Sequence, residues 1–280
     1  MATEKLTNLS RTAIGVAFMR AVESRRPDRL FEDPLAEAFV VAAQAVLPDS
    51  DLIQSAAAAE RTLAVFGPHI AVRTRFYDDY LLAATGSGCR QVVLLAAGLD
   101  TRAFRLAWPD GVRLFEVDLP EMTGYKEQVL AARQAEPGCA RTVLDADLRA
   151  DWPARLTEAG LRPAEPTAWL LEGLLAYLTA DEVAALLTAV GSVSAPGSRL
   201  ACEHLPESGG ALLDLVQASG STAGVAHLWK GGLSEELSDW LDRAGWRPTP
   251  HSGQALADAY GRPDPEAFSM GFLTAVRATS

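Results

Sequence analysis

Three acidic residues each follow a predicted strand, and their types and spacing suit the recognition of a nucleoside. Asp118 follows Gly98, which makes a tight turn after an apolar strand, by about 20 residues; a carboxylate there can accept hydrogen bonds from both hydroxyls of a ribose. Asp147 and Leu148 follow the next strand, where they could meet an adenine amino group and ring, although Asp147 alone fits a loop acid or a cap better. Glu172 precedes the apolar sequence GLLAYL, beside which an unpaired carboxylate would be costly.

An arginine on the inward face of a preceding helix could bind the anionic end of such a ligand. In the sequence PHIAVRTRFYDDYLLAA, Ile70, Arg73 and Tyr77 recur at helical spacing, so they share one face of the predicted helix. A buried guanidinium needs a partner. Arg73 is therefore predicted to clamp a ligand carboxylate, or else to form an internal salt bridge or reach the surface with its head group.

The elements that must position these residues are those of an α/β fold. Apolar segments and turn residues predict strands at 92–97, 113–117, 141–146, 167–171 and 199–202, and two last strands near 246–249 and 268–276. The ligand of an open α/β sheet lies beyond the carboxyl ends of its strands, where these acids are.

Residues outside the predicted sheet divide into an arm and a cover. Residues 1–85 are predicted to be an N-terminal helical arm, in which one helix ends near Gly67 and Pro68 and another follows. Residues 86–280 form the predicted core domain. Within it, the glycine- and serine-rich segment 205–232 is predicted to be a helical cover over the site.

Composition and charge exclude several classes of protein. The formal net charge of −11 would repel nucleic-acid phosphate, so no nucleic-acid partner is expected. The three cysteines form no C-x-x-C pair and the four histidines no H-x-x-x-H spacing, which predicts reduced thiols and no metal site. The sequence shows neither a signal-peptide pattern nor an apolar run near the roughly 20 residues that cross a bilayer. We therefore expect a cytoplasmic protein with no membrane partner, in an oligomeric state that the sequence leaves open.

The glycine turn argues against a dinucleotide. A pyrophosphate usually requires three glycines in the pattern G-x-G-x-x-G, because the backbone must approach it closely, whereas AAGLDTR contains only Gly98. The candidates together fit S-adenosylmethionine: the ribose and adenine at the second and third strand ends, the ammonium at Glu172 or backbone carbonyls, and the carboxylate at Arg73. A nicotinamide-dependent oxidoreductase is disfavoured by the missing glycines. A nonenzymatic nucleoside-binding protein is the further alternative.

Several phrases of the sequence carry a family resemblance. VVLLAAGLDTRAFRLAWP, FEVDLP, ADLRADWP and PTAWLLEGLLAYLT, with the lone Lys126, resemble the leucine carboxyl methyltransferase family, in particular its bacterial branch of proposed S-adenosylmethionine-dependent methyltransferases. The front segment RAVESRRPDRLFEDPLA, the helix RTRFYDDYLL and the tail around WLDRAGW resemble that branch too. The resemblance covers nearly the whole chain.

The resemblance implies a fold, a cofactor and a set of contacts. The fold is that of class I methyltransferases, Rossmann-like, with a seven-stranded sheet whose last strand is antiparallel, and the cofactor is S-adenosylmethionine. Tyr177 matches a family tyrosine near the reacting groups, and Arg11 aligns loosely with a basic residue that touches the cofactor carboxylate. Glu116 competes with Asp118 as the ribose ligand, and Asp118 is favoured. The family's cofactor contacts fall on Arg73, Gly98, Asp118, Asp147, Leu148 and Glu172.

The chemistry of the acceptor narrows the reaction further. Methyl transfer from a sulfonium is an in-line displacement, so the protein mainly aligns the reactants and excludes water. A carboxylate is ionised at pH 7 and needs no base, whereas a hydroxyl would gain from one. His204 and His227 are the candidate bases, although a structural role is favoured for each. The resemblance and the lack of a stronger base favour O-methylation of a carboxylate on a small secondary metabolite such as a polyketide, with a hydroxyl acceptor as the alternative.

Overall fold

Seven strands form one sheet within the part of the chain that the computed structural model describes, residues 8–46, 56–204, 230, 232–233, 235–262 and 271–279. The strands are β1 (Gln91–Leu95), β2 (Arg113–Asp118), β3 (Ala140–Asp145), β4 (Thr167–Leu171), β5 (Arg199–His204), β6 (Trp246–His251) and β7 (Gly271–Arg277). Their order across the sheet is β3-β2-β1-β4-β5-β7-β6.

The sheet is mixed. The first five strands pair in parallel, and β7 lies antiparallel between β5 and β6. β1 and β4 are buried at every position, which explains their continuous apolar sequences, because helices cover both faces of such a strand. The expected seven-stranded arrangement with an antiparallel last strand is confirmed.

Helices cover both faces of this sheet. The helices are α1 (Asn8–Ser24), α2 (Ala36–Val46), α3 (Ala56–Gly86), α4 (Arg102–Arg105), α5 (Pro120–Ala132), α6 (Trp152–Glu158), α7 (Ala180–Ser192), α8 (Leu237–Arg243) and α9 (Gly253–Ala259). On one face α6, α7 and α8 pack on a core that includes Val93, Val117 and Trp169. On the other face α3 and α9 pack on residues that alternate with these, such as Val92 and Leu114.

The long helix α3 runs unbroken through Pro68, so the predicted break at Gly67 and Pro68 was wrong. An interior proline removes one helical hydrogen bond and disfavours a helix by roughly 3 kcal/mol. Packing of the second half of α3 offsets this free-energy cost, because Tyr77 and Leu81 are completely buried against the sheet. Local propensity pointed to two helices, and tertiary packing decided for one.

A buried aspartate attaches the N-terminal helices to the loop that follows β1. Arg20 of α1 donates from Nε to Asp33 Oδ2 at 2.9 Å and from Nη2 to the Leu99 carbonyl at 2.6 Å. Thr101 Oγ1 donates to the same Asp33 oxygen at 2.7 Å. Asp33 Oδ1 accepts from the Ala36 amide at 3.1 Å, at the start of α2. Asp33 therefore joins α1, α2 and the β1 loop in one buried contact.

Other predicted elements differ in their bounds or lie outside the described residues. Helix α5 begins at Pro120, because a proline suits the first turn of a helix. The last strand is described from Gly271. The predicted cover, 205–232, lies outside the described residues except for 230 and 232. The division of the chain after residue 85 stays a prediction. No helix in the described ranges is long and apolar enough to cross a membrane.

Candidate functional site

A cavity of about 380 Å³ opens at the carboxyl ends of β1, β2, β3 and β4, with α1 beside it. That volume falls in the range of small-molecule sites, roughly 300–1,000 Å³. The structure brings together residues that are far apart in the sequence, because parallel strands present their carboxyl ends at one edge of the sheet. The wall includes the predicted residues Arg73, Gly98, Asp118, Asp147, Leu148, Glu172 and Tyr177.

Asp118 is held by the glycine turn. The Gly98 amide donates to Asp118 Oδ2 at 2.6 Å, and the Leu119 amide donates to Oδ1 at 2.7 Å. Gly98 has φ +50°, and a Cβ added there would lie 3.8 Å from the Ala13 side chain of α1. Burial raises the pKa of Asp118, and the two amide hydrogen bonds oppose that rise. Each carboxylate oxygen keeps a lone pair, so that Asp118 can accept a hydrogen bond from each hydroxyl of a ribose.

Glu116, the competing ribose ligand, is engaged elsewhere. Its side chain is 2% exposed and lies 2.7 Å from both Lys126 Nζ and Arg141 Nη2. It is not part of the cavity wall. The preference for Asp118 as the ribose ligand therefore agrees with the geometry, because the carboxylate of Glu116 is already paired with basic residues of α5 and β3.

Asp147 and Leu148 lie in the wall in the loop after β3. Asp147 Oδ1 accepts from the Arg149 amide at 2.9 Å, and Oδ2 lies 2.6 Å from Arg149 Nη2. The hydrogen bond from the Arg149 side chain lowers the pKa of Asp147. Leu148 packs against the core. The loop-acid interpretation of Asp147 thus describes its local bonding, and the adenine contact stays a prediction.

Arg73 and Glu172 form an ion pair in the cavity wall. Arg73 is 8% exposed. Its Nε lies 2.9 Å from Glu172 Oε1, and its Nη1 donates to Glu203 Oε1 at 2.9 Å. The internal salt bridge considered for Arg73 is therefore present. Because the residue also borders the cavity, the clamp on a ligand carboxylate stays a prediction.

A second arginine, which sequence reasoning missed, fixes the other side of Glu172. Arg102 is 2% exposed. Its Nη1 donates to Glu172 Oε2 at 2.7 Å and also contacts Asp100. Its Nε donates to Asp78 Oδ1 at 2.7 Å. Burial raises the pKa of Glu172, but the charges of Arg102 and Arg73 outweigh it, so that the pKa is lowered overall. Burial raises the pKa of Asp100 in the same way, but the charges of Arg102, Lys126 and Arg105 outweigh it and bring the pKa to about 2. The ion-paired form of these acids is thus the stable one at pH 7.

The predicted residues near the reacting groups are described only in part. Tyr177 ends a 3₁₀ turn, Leu175–Tyr177, and borders the cavity. His204 is the last residue of β5, but its side chain lies outside the described part of the structure, as do the Arg11 side chain and the whole of His227. Their predicted roles stay predictions.

Lys230 lies in the cavity wall beside the turn that follows β4, and sequence reasoning missed it. Its amide donates to the Ala176 carbonyl at 2.8 Å, and the Gly232 amide donates to the Leu178 carbonyl at 3.2 Å. Its Nζ lies 3.1 Å from Glu182 Oε2, and the side chain is 45% exposed. Lys230 therefore places an accessible positive charge at the cavity. A single lysine in a glycine-rich segment gave no signal of this in the sequence.

Histidine, cysteine and acidic side chains form no group that could hold a metal ion anywhere in the described residues. The buried acids near the cavity contact arginines instead, which satisfies their charge.

Comparison with known proteins agrees with this geometry. Residues 13–191 match the leucine carboxyl methyltransferase family. A proposed S-adenosyl-L-methionine-dependent methyltransferase from Frankia alni is 51% identical over 267 residues, which cover 95% of this chain and 93% of that protein. Another, from Parafrankia sp. (strain EAN1pec), is 48% identical over 274 residues, which cover 96% of this chain and 87% of that protein.

Solved structures share the fold at low sequence identity. A proposed methyltransferase from Thermobifida fusca aligns with a TM-score of 0.51 and 18% identity over 94% of both chains. Magnesium protoporphyrin IX methyltransferase from Synechocystis, solved with bound S-adenosylhomocysteine, aligns with a TM-score of 0.50 and 16% identity over 82% of this chain and 98% of that chain. At such identities the likeness shows the fold alone.

The family match, the relatives and the single-glycine turn all point to one cofactor and set aside the nicotinamide alternative. The chain belongs to the leucine carboxyl methyltransferase family, as an S-adenosylmethionine-dependent methyltransferase of the class I fold.

Proposed function

We propose that this methyltransferase modifies a carboxylate of a small molecule and forms a methyl ester. The observation that carries the proposal is Lys230, whose charge lies at the cavity next to the turn that contains Tyr177. An anionic acceptor is attracted by such a charge. Leu174 and Leu178 border the same cavity and suit an apolar body. These features support an acidic secondary metabolite, such as a polyketide acid, as the acceptor.

The residues present fit the cofactor. S-adenosylmethionine supplies, when bound, a methyl group on a sulfonium. Asp118 offers carboxylate lone pairs to a ribose, and Arg73 offers a buried cation to an amino-acid carboxylate. The role of these side chains is to hold and align the reactants, since an in-line displacement gains most from orientation and from the exclusion of water.

The proton balance of the two reactions distinguishes a carboxylate from a hydroxyl acceptor. In methyl ester formation a carboxylate oxygen attacks the methyl carbon while the carbon–sulfur bonding pair returns to sulfur, so no proton is removed. A hydroxyl acceptor must lose a proton and gains from a base. Among the described residues of the cavity wall there is no histidine. Tyr177 would orient the acceptor carboxylate rather than deprotonate it.

The net charge and the cysteines of the chain bear on its partners and its compartment. Its net charge of −11 disfavours nucleic-acid partners, and its three cysteines are free thiols. We propose a cytoplasmic enzyme that takes a small-molecule acceptor.

Chemical stability of the transferred methyl group distinguishes the candidate acceptors. The protein is incubated with S-adenosylmethionine labelled in its methyl group and an extract of small metabolites, and we expect the label to be released as methanol by mild alkali, because esters hydrolyse and ethers do not. Alkali-stable label would contradict ester formation and favour the alternative of a hydroxyl acceptor. Cofactor binding without any transfer would favour a nonenzymatic protein.

Replacement of Lys230 tests the recognition of an anionic acceptor. In the same assay at low extract concentration, Lys230→Met is expected to form labelled ester about tenfold more slowly, because the local positive charge no longer attracts the acceptor. The matched control is Arg162→Met, which removes an exposed cation from an ion pair with Glu165. Equal rates in the two variants would contradict the assigned role of Lys230.

A further inference from the structure

A cluster of buried charges beneath the cavity carries one more negative than positive charge. Three guanidiniums and four carboxylates give 3 − 4 = −1, and none of these side chains is more than 17% exposed. The buried charge cluster consists of Arg73, Arg102, Arg105, Asp78, Asp100, Glu172 and Glu203. Its charges act through a medium of low dielectric and are screened little by salt.

Glu203 supplies the excess charge from behind the cavity wall. It ends β5 as Glu172 ends β4, and its side chain is 10% exposed. Its two oxygens accept from the Gly173 amide at 2.9 and 2.8 Å, and Oε1 also accepts from Arg73 Nη1 at 2.9 Å. Unlike Glu172 and Arg73, it is not part of the cavity wall. Glu203 can therefore influence a ligand by its charge without touching it.

The other charges in the described part of the cavity wall do not cancel this excess. Three basic residues each pair with one acid and contribute no net charge, whereas Asp118 and Glu121 each add one negative charge. The three pairs are Arg20–Asp33, Arg149–Asp147 and Lys230–Glu182. The part of the cavity next to the buried charge cluster thus lies in a negative field, whereas a ligand group in direct contact with the half-exposed Lys230 meets a positive charge at short range.

The cofactor loses a positive charge during methyl transfer. A negative field therefore stabilises the bound cofactor more than the bound product. S-adenosylmethionine has a sulfonium, an ammonium and a carboxylate, so its net charge is positive, whereas S-adenosylhomocysteine lacks the sulfonium and is neutral. We infer that Glu203 makes the site bind the sulfonium cofactor more tightly than the neutral product, and so promotes product release after each transfer. One unit charge within about 10 Å, at an effective dielectric constant of about 20, changes a binding constant by roughly tenfold.

The ratio of two dissociation constants tests this role. Calorimetry gives Kd for S-adenosylhomocysteine and for sinefungin, a stable analogue with an ammonium in place of the sulfonium. In Glu203→Gln the ratio Kd(S-adenosylhomocysteine)/Kd(sinefungin) is expected to fall about tenfold relative to the wild type, while the glutamine carbonyl still accepts from the Gly173 amide. Because burial raises the pKa of Glu203, the titrations are carried out at pH 8, which favours the ionised carboxylate over the protonated one. Glu165→Gln, an exposed acid paired with Arg113 and Arg162, is the matched control and leaves the ratio unchanged.

A second variant, which is expected to change the ratio in the opposite direction, makes the test independent of how well Glu203→Gln folds. Arg105 pairs with Asp78 in the same cluster and does not border the cavity. Arg105→Gln therefore makes the cluster more negative and is expected to raise the ratio several-fold. Movement of the ratio in opposite directions supports the inference. An unchanged ratio in folded variants, or an equal loss of affinity for both ligands, would show that these residues serve only as scaffold.

Discussion

Asp118→Ala is expected to weaken the binding of S-adenosylhomocysteine by about 100-fold or more. A hydrogen bond to a charged group contributes about 1.5–3 kcal/mol, and Asp118 can accept one from each hydroxyl of a ribose while Gly98 and Leu119 hold it in place. Calorimetric titration of the purified variant measures the effect. Glu121→Ala is the matched control, because Glu121 borders the same cavity and is assigned no ligand contact.

The pH dependence of binding checks the same assignment. Burial raises the pKa of Asp118, and protonation removes lone pairs that accept from the ribose. Affinity in the wild type is therefore expected to fall as the pH is lowered toward that pKa, whereas Asp118→Asn shows weak binding with no such fall. Wild-type affinity in either Asp118 variant would transfer the ribose contact to another residue.

Arg73→Met is expected to lose at least 100-fold in affinity for S-adenosylhomocysteine and to destabilise the fold by about 3–5 kcal/mol. The binding loss follows from removal of a buried cation that faces the ligand carboxylate. The loss of stability follows because Glu172 and Glu203 keep their buried charges without this partner. Denaturant unfolding gives the stability, with Arg75→Met as control. Arg75 lies on the same helix in a half-exposed pair with Asp79, and its replacement costs less than about 1 kcal/mol.

A ligand without a carboxylate separates the clamp from simple scaffolding. 5′-Methylthioadenosine keeps the adenine, the ribose and the sulfur but has no amino-acid tail. If Arg73 binds the carboxylate, Arg73→Met loses affinity for S-adenosylhomocysteine and keeps most of its affinity for methylthioadenosine. An equal loss for both ligands would return Arg73 to a purely structural role.

Local patterns in the sequence determined the sheet, the turn and the choice of nucleotide. Apolar runs such as those of β1 and β4 specify buried parallel strands, because both faces of such a strand are covered. The spacing from Gly98 to Asp118 is set by one strand–helix–strand unit, and the amide of Gly98 does donate to Asp118. The single glycine, together with the family phrases, indicated the cofactor that the relatives share.

Only the tertiary structure decided which charges meet. Arg73 and Glu203 are 130 residues apart, Arg102 and Glu172 are 70 apart, and no local period relates them. Tertiary structure also decided the place of Pro68. Local propensity predicts that a helix ends there, whereas packing against the sheet keeps Pro68 inside α3. Sequence patterns report which face of an element is buried, because burial repeats with the period of the element. The partner of a buried charge depends instead on how distant elements pack, and the buried charge cluster forms only where α3, α4 and the ends of β4 and β5 meet.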